Sequence, residues 1–244
     1  MPAKNDPRAD LPWGRKPLPS RGPKPTLTTS QIARAAIRLA DTGGLEAVTM
    51  QRVAREMKVT TMALYRYFPG KANLIELMID SASDRTANDE KPLLPWNVRL
   101  KKWARNCLAI YRNHPWFLEA TSVRRSPMGP NELSWVEAAL AMLAESGLAP
   151  EDRYSAFLVV IGHVRGQATF EQIKKYNNSR LEWIREVAQA VESGAERYPA
   201  LLEVLDAGAF SKEPSRAFDF GLDCIIEGIC TRVNRHKTKS RRRR

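Results

Sequence analysis

Apolar residues first fall into a helical rhythm at Ile32, Ala35, Ala36, Leu39 and Ala40, recurring at i, i+3, i+4, i+7 and i+8, which predicts an amphipathic helix. Thr28, Thr29 and Ser30 stand ahead of it as N-cap hydroxyls, and Gly43-Gly44 stops it. A second helix, capped by Thr49, turns Met50, Val53, Ala54 and Met57 inward and Gln51, Arg52 and Arg55 outward. Lys58-Val59 makes a short turn, Thr60 or Thr61 caps again, and a brief third helix runs through Leu64 to Phe68 before Pro69-Gly70 breaks the chain. A longer helix follows with Leu74, Leu77 and Met78 on one side. Farther along, Trp96 to Asn113, Asn131 to Ser146, Glu151 to Lys175, Arg180 to Ser193 and Ser215 to Val233 keep a 3.6-residue period without strand-like alternation. Breakers lie at Pro92–Pro95, Pro115, Pro127–Pro130, Gly147–Pro150, Gly194–Pro199 and Gly208–Pro214, and there is no internal repeat or hairpin signal. The pattern predicts an all-α chain of about nine or ten helices.

Composition narrows the class. With 244 residues, 43% of them hydrophobic, the chain is long enough to bury a core and too apolar to be wholly disordered. Its longest uncharged apolar run, Ala156 to Gly162, falls far short of the roughly 18–20 residues a membrane span needs. The N-terminus lacks the apolar stretch of a secretory signal. Cys107, Cys224 and Cys230 have no framework spacing, which fits a reducing cytoplasm. Cys224 and Cys230 sit about 240° apart around a helix, so they cannot share a metal there. With the usual four-ligand cluster absent, no metal and no cofactor are expected. The net charge of +12 lies at the ends: residues 1–30 carry six Lys/Arg against two Asp, residues 80–235 twenty against twenty-one acids, and the last nine residues six against none. A body without net charge between basic segments suggests a phosphate-bearing partner, although basic tails also serve solubility alone.

The second and third helices have the proportions of a helix-turn-helix, in which the second helix enters the major groove, roughly 12 Å wide, and its first residues meet base edges. On that reading Gln51, Thr61, Met62, Ala63 and Arg66 face bases, with Thr60 beside them at the helix start. Leu64 and Phe68 anchor the back. Thr49, Tyr65, Tyr67 and Lys71 are placed for phosphates, which set register without reading sequence. Arg52 is a solvated or phosphate-facing group. The same residues also describe an ordinary exposed helix surface, and Tyr65 a core aromatic with a wet hydroxyl. Arg15, Lys16, Arg21 and Lys24 of the proline-rich arm either reach a neighbouring minor groove or stay solvated. The run Lys237–Arg244 either adds nonspecific DNA affinity or is a solubility tail.

The stretch from Leu27 to Ile79, LTTSQIARAAIRLADTGGLEAVTMQRVAREMKVTTMALYRYFPGKANLIELMI, strongly resembles the DNA-binding domain of TetR-family transcriptional regulators. The likeness is carried by Gly44, Thr49, Val53, Ala54, Val59, Leu64, Tyr65, Tyr67, Phe68, Lys71 and Leu74. Gly70 departs from the family's usual Asp, Asn, Ser or Thr and implies a weaker helix cap. NHPWF, PMGPN, GLAPEDRYSAFLVVIGHVRGQATFEQ and FDFGLDCIIEG are similar to the all-helical C-terminal domain of the tetracycline-repressor subgroup. The resemblance implies an N-terminal three-helix helix-turn-helix domain joined to a larger helical ligand-binding and dimerisation domain. The divisions expected are a disordered basic arm (1–26), the DNA-binding domain (27–80), the ligand-binding and dimerisation domain (81–235) and a basic tail (236–244). It further implies a homodimer through the helices near 155–175 and 215–233, a double-stranded DNA operator, a small-molecule effector, and a cytoplasmic place in a bacterium, on the nucleoid when bound. Trp103, Trp116, Phe117, Arg124, Trp135, Met142, His163 and Phe170 are candidates to meet the effector, although aromatics at helical spacing are usually core and a lone histidine such as His163 is usually a satisfied core or interface group. No histidine lies among Ser122 to Met128, so no tetracycline–magnesium site is expected. The functional expectation is a non-enzymatic, ligand-responsive repressor. The other classes weighed are an all-α enzyme, for which no phosphate loop, nucleophile elbow or His/Cys cluster is found, and an architectural protein binding DNA without sequence choice.

Overall fold

A computed structural model describes residues 27–84, 94–122, 128–176, 180–194, 197–209 and 214–241. The helices are α1 (Thr29–Gly43), α2 (Met50–Glu56), α3 (Thr61–Tyr65), α4 (Lys71–Ala82), α5 (Trp96–Asn113), α6 (Trp116–Ala120), α7 (Pro130–Glu145), α8 (Pro150–Tyr176), α9 (Arg180–Glu192), α10 (Pro199–Asp206) and α11 (Pro214–Arg241), with a 3-10 turn at Leu45–Ala47. Among the described residues there is no strand, and no helix is long and apolar enough to cross a membrane. The fold class is all-α.

Local chemistry explains the first four helices. Thr28 and Gln31 form a reciprocal capping box: Gln31 N–H donates to Thr28 Oγ1 (3.2 Å), and Thr28 N–H donates to Gln31 Oε1 (2.9 Å). Thr49 caps α2 by accepting from Arg52 N–H at 3.1 Å, and Thr60 caps α3 by accepting from Ala63 N–H at 3.3 Å. Gly70 begins α4 with no side-chain cap, as the glycine there implied. The turn between α2 and α3 passes through Lys58 at φ 56°, a left-handed conformation that side chains rarely adopt. α3 ends at Tyr65, earlier than the periodicity suggests, and the Leu64 carbonyl accepts from both Tyr67 and Phe68 N–H in the turn that follows (2.9 Å each).

The chain divides into two compact units, the first ending at Leu158 and the second beginning at Val159, inside α8. In the first, α1–α4 close around Ile32, Ala36, Val48, Val53, Leu64, Phe68, Leu74 and Met78, all fully buried. In the same unit, α5, α6 and α7 bury Leu100, Leu108 and Leu143 beside an aromatic cluster. Trp103 lies 5.7 Å from Trp135 and 6.1 Å from Phe157, centroid to centroid. Arg99, itself buried, pairs with Glu145 across α5 and α7 and donates from Nε to the Leu94 carbonyl (3.0 Å). The second unit holds the rest of α8 with α9, α10 and α11. Val160, Val164 and Ala168 are buried on α8, and Phe218, Leu222, Ile226, Ile229 and Val233 on α11.

Two short helices, α6 and α10, were not anticipated. Pro115 and Pro199 read as stops, yet α6 follows Pro115 directly and Pro199 sits in the first turn of α10. Proline lacks the N–H that a first turn leaves unpaired anyway, and its fixed φ suits helix initiation. α11 also continues to Arg241 instead of ending at Val233.

Candidate nucleic-acid interface

The reading element is built by opposing the two sides of α3. Leu64 and Phe68 have no exposed surface, whereas Met62, two residues from Leu64, is 73% exposed. Burial behind fixes α3 against α2, so its first turn projects Thr60 and Met62 outward with Thr61 and Ala63 half-buried beside them. Gln51, Arg52 and Arg66 are exposed, as is Thr49. The cap bonds at Thr49 and Thr60 use each hydroxyl as an acceptor, which leaves each O–H proton to be donated elsewhere. Tyr65 is 46% exposed, so it belongs to this surface and not to the core.

Two expected phosphate ligands already have structural partners. Lys71 donates from Nζ to the Leu45 carbonyl at 2.9 Å; an ammonium has three protons, so this bond orients the side chain without exhausting it. Tyr67 differs. Its hydroxyl donates its one proton to the Leu27 carbonyl at 2.9 Å, a bond that ties the turn after α3 to the residue just ahead of the α1 cap.

Of the effector candidates, Trp103 and Trp135 lie together, with Trp103 Nε1–H donating to the Trp135 carbonyl (3.2 Å) and Trp135 Nε1–H to the Ser83 carbonyl (2.8 Å). Met142 is buried on α7. Trp116 and Phe117 form a second group with Tyr111, whose ring meets Phe117 edge-on at 5.4 Å. Two further candidates lie on α8. His163 stacks on Phe218 at 5.0 Å and 4°, and its Nε2 lies 2.8 Å from the Phe218 carbonyl, so the ring donates there and ties α8 to α11. Phe170 is 67% exposed. Arg124, like Arg15, Lys16, Arg21, Lys24 and residues 242–244 of the C-terminal run, lies outside the described residues.

Several joints escaped the sequence reading. One oxygen of Asp41, near the end of α1, accepts from both His114 Nδ1 and Trp116 Nε1–H, each at 2.7 Å. Asp80, buried near the end of α4, accepts from the backbone N–H of Asn131 (2.8 Å) and Glu132 (3.2 Å) and so caps α7. Burial raises the Asp80 carboxyl above its ordinary value despite those two donors, which pull the other way. A side chain at Gly129 would overlap the Asp80 carboxylate, which is why glycine stands there. Cys107 is fully buried and its thiol is pushed well up by desolvation, which keeps it protonated and unreactive.

Residues 28–78 match the family described as bacterial regulatory proteins, tetR family, and residues 91–233 match the tetracyclin repressor-like C-terminal domain. The chain is 34% identical over 240 residues to the HTH-type transcriptional repressor DrrR1 of Streptomyces coeruleorubidus, covering 95% of this chain and 87% of that one. Among solved structures it resembles apo ActR from Streptomyces coelicolor (TM-score 0.75, 23% identity, 86% of this chain and 98% of that one). It also resembles ActR in complex with (S)-DNPA (TM-score 0.72, 25% identity, 84% and 98%).

Proposed function

Because the chain belongs to the TetR family of bacterial helix-turn-helix transcriptional regulators, we propose that it binds a palindromic operator as a homodimer and is released by a small-molecule effector. Regulators of this family bind DNA operators and small-molecule effectors, typically as dimers, and are not enzymes. The observation that carries the operator reading is the two-sided α3, with Leu64 sealed behind it, Phe68 sealed just after it and Met62 exposed in front. In each subunit Thr60, Thr61, Met62, Ala63, Gln51 and Arg66 meet bases, while Thr49, Arg52, Tyr65 and Lys71 meet phosphates. The reading helices of the two subunits then lie about 34–36 Å apart, one DNA turn.

The exposed apolar face of α8 supports dimerisation. Tyr154, Leu158, Val159 and Phe170 are all exposed and lie with Gly162 and Gly166 on one side of that helix. A Cβ added at either glycine would meet no atom of the described residues within 4 Å. On α11, exposed Phe220, Cys224 and Gly228 repeat at four-residue spacing. Two such faces pack into a four-helix interface, where the glycines permit close approach. The effector belongs to the helices after α4, for which the Trp103–Trp135–Phe157 cluster is the candidate contact. An effector releases DNA only by binding more tightly to a dimer whose heads are wrongly spaced.

The test is selection of duplexes from a random pool by the full chain at physiological salt, followed by Thr61→Val, Met62→Gln and Ala63→Ser together. A palindromic consensus that the triple variant no longer prefers is expected. An unchanged preference from a folded triple variant overturns the assignment of α3.

A further inference from the structure

We propose that Met62 is an oxidation site on the reading surface: a peroxide that converts its thioether to the sulfoxide keeps the protein off its operator, and reaches the sulfur only while the protein is free of DNA. This rests on the operator reading above. Met62 is 73% exposed, more than any other large apolar side chain among the described residues. It stands in the first turn of α3, two residues from the fully buried Leu64, so the fold holds it out in water and not against the core. The other methionines of the described residues are placed differently. Met50, Met78 and Met142 are buried, Met57 is half-buried, and Met128, 41% exposed, lies just ahead of α7.

A thioether reacts only where the oxidant reaches a sulfur lone pair, so exposure decides which methionine is modified. The sulfur attacks one oxygen of hydrogen peroxide. The S–O bond forms as the O–O bond breaks, and the departing hydroxide takes the proton of the transferred oxygen and leaves as water. Sulfur gives up an electron pair and the peroxide accepts it. The product has the length of methionine but carries a strong acceptor where a soft apolar group stood. In the free protein the new oxygen is solvated and the core is untouched. On DNA the first turn of α3 is pressed onto base edges, which strips water from that oxygen, and many of the groups it meets are themselves acceptors: N7 and O6 of guanine, N7 of adenine and O4 of thymine. Oxidation and operator therefore oppose each other, because the bound state covers the sulfur and the oxidised state cannot be bound without loss. Reductases specific for the two sulfoxide epimers reverse the change, which makes the site a switch and not only a lesion.

The experiment treats the full chain, Met62→Leu and Met128→Leu with hydrogen peroxide and then with dithiothreitol, which returns the exposed thiol of Cys224 but leaves sulfoxides in place. The oxygen at each methionine is mapped by peptide mass, and the probe is the palindromic duplex that the full chain itself selects. Met62 is expected to gain the oxygen first, with the helical signal unchanged and operator affinity reduced at least about 10-fold. The two reductases should restore that affinity. Met128→Leu should respond to peroxide as wild type does, whereas Met62→Leu should keep after peroxide whatever affinity it had before. Saturating operator should slow oxidation of Met62 at least about 10-fold, and a scrambled duplex at physiological salt should not. If operator protects Met62 but its sulfoxide binds as tightly as the thioether, or peroxide weakens Met62→Leu as much as wild type, the proposal is overturned while the operator reading stands. If the full chain selects no sequence, or bound operator leaves Met62 open to peroxide, the operator reading of α3 fails and this proposal with it.

Discussion

Asp41 is the point at which a single substitution exposes how the reading head is attached. Its Oδ1 accepts from His114 Nδ1 and Trp116 Nε1–H, each at 2.7 Å, across 73 and 75 residues of sequence. The two donors respond differently to its loss. Trp116 is only 3% exposed, so its indole N–H cannot turn to water when the carboxylate is removed. A bond from a buried donor to a charged acceptor is worth about 1.5–3 kcal/mol. The His114 side chain is 23% exposed and water can take the place of Asp41 there, so its share is a few tenths. Asp41→Ala is therefore expected to cost about 2–3 kcal/mol. Asp41→Asn, which keeps an amide oxygen in place but loses the charge, is expected to cost about 1 kcal/mol.

The assay is urea unfolding followed at the helical circular-dichroism band for wild type, Asp41→Ala, Trp116→Phe and the double variant. Trp116→Phe carries its own packing loss, which the cycle removes. A coupling energy of about 1–2 kcal/mol is expected, with the double variant little worse than the worse single one. Additivity to within about 0.5 kcal/mol would falsify the bond as an energetic link.

Four other outcomes follow from the geometry. Gly70→Ser supplies the missing α4 cap in open space at an extended residue, and should raise unfolding stability by about 1 kcal/mol; no gain in the urea midpoint refutes the cap argument. A Cβ at Gly221 would overlap the His163 ring, so Gly221→Ala should destabilise by about 1–3 kcal/mol and His163→Ala should relieve most of that cost, a rescue measured by the same double-mutant method. Phe170→Glu and Gly162→Leu should leave the helical signal unchanged and weaken association by at least about 2 kcal/mol each in sedimentation equilibrium, since neither position touches its own protomer's core; undiminished dimer rejects the α8 face. Burial raises Asp80, so the folded chain holds that proton more tightly than the unfolded one, and the contribution of Asp80 to stability increases as pH falls through the raised value toward the ordinary one. Wild type should accordingly gain on Asp80→Asn between pH 7 and 4, and a difference that stays flat contradicts the shift.

Periodicity located what depends on one helix and its own two sides. Trp96–Asn113 is both the predicted and the observed span of α5, and the inward Leu64 and Phe68 are fully buried. It did not reveal which partner opposes a given side. His163 and Phe170 both lie on α8 among apolar residues, yet one is clamped to Phe218 and the other faces outward, because an apolar stripe reads the same whether its cover is the same chain or a second copy. The joints at Asp41, Asp80 and Tyr67 pair residues 40 to 75 apart, and no local pattern marks a polar side chain whose partner lies on a distant helix. The turn at Lys58-Val59 was legible but its left-handed backbone at Lys58 was not, because that conformation is usually signalled by glycine or asparagine and lysine carries no such mark.

Asp41 and Asp80 also constrain how the head can move. One lies at the end of α1 and the other near the end of α4, two helices packed together inside the same small core, and each carboxylate reaches out of that core to α5–α7: Asp41 to His114 and Trp116, Asp80 to the first turn of α7. Apolar packing between helices tolerates sliding because it is non-directional, whereas a carboxylate held by two donors fixes an angle as well as a distance. Trp135 Nε1–H adds a third joint beside Asp80 by donating to the Ser83 carbonyl at 2.8 Å. Reorientation of the head against α5–α7 must therefore break at least one of the three, at a cost of about 1–3 kcal/mol. That cost lies within the range of a typical coupling free energy between two sites.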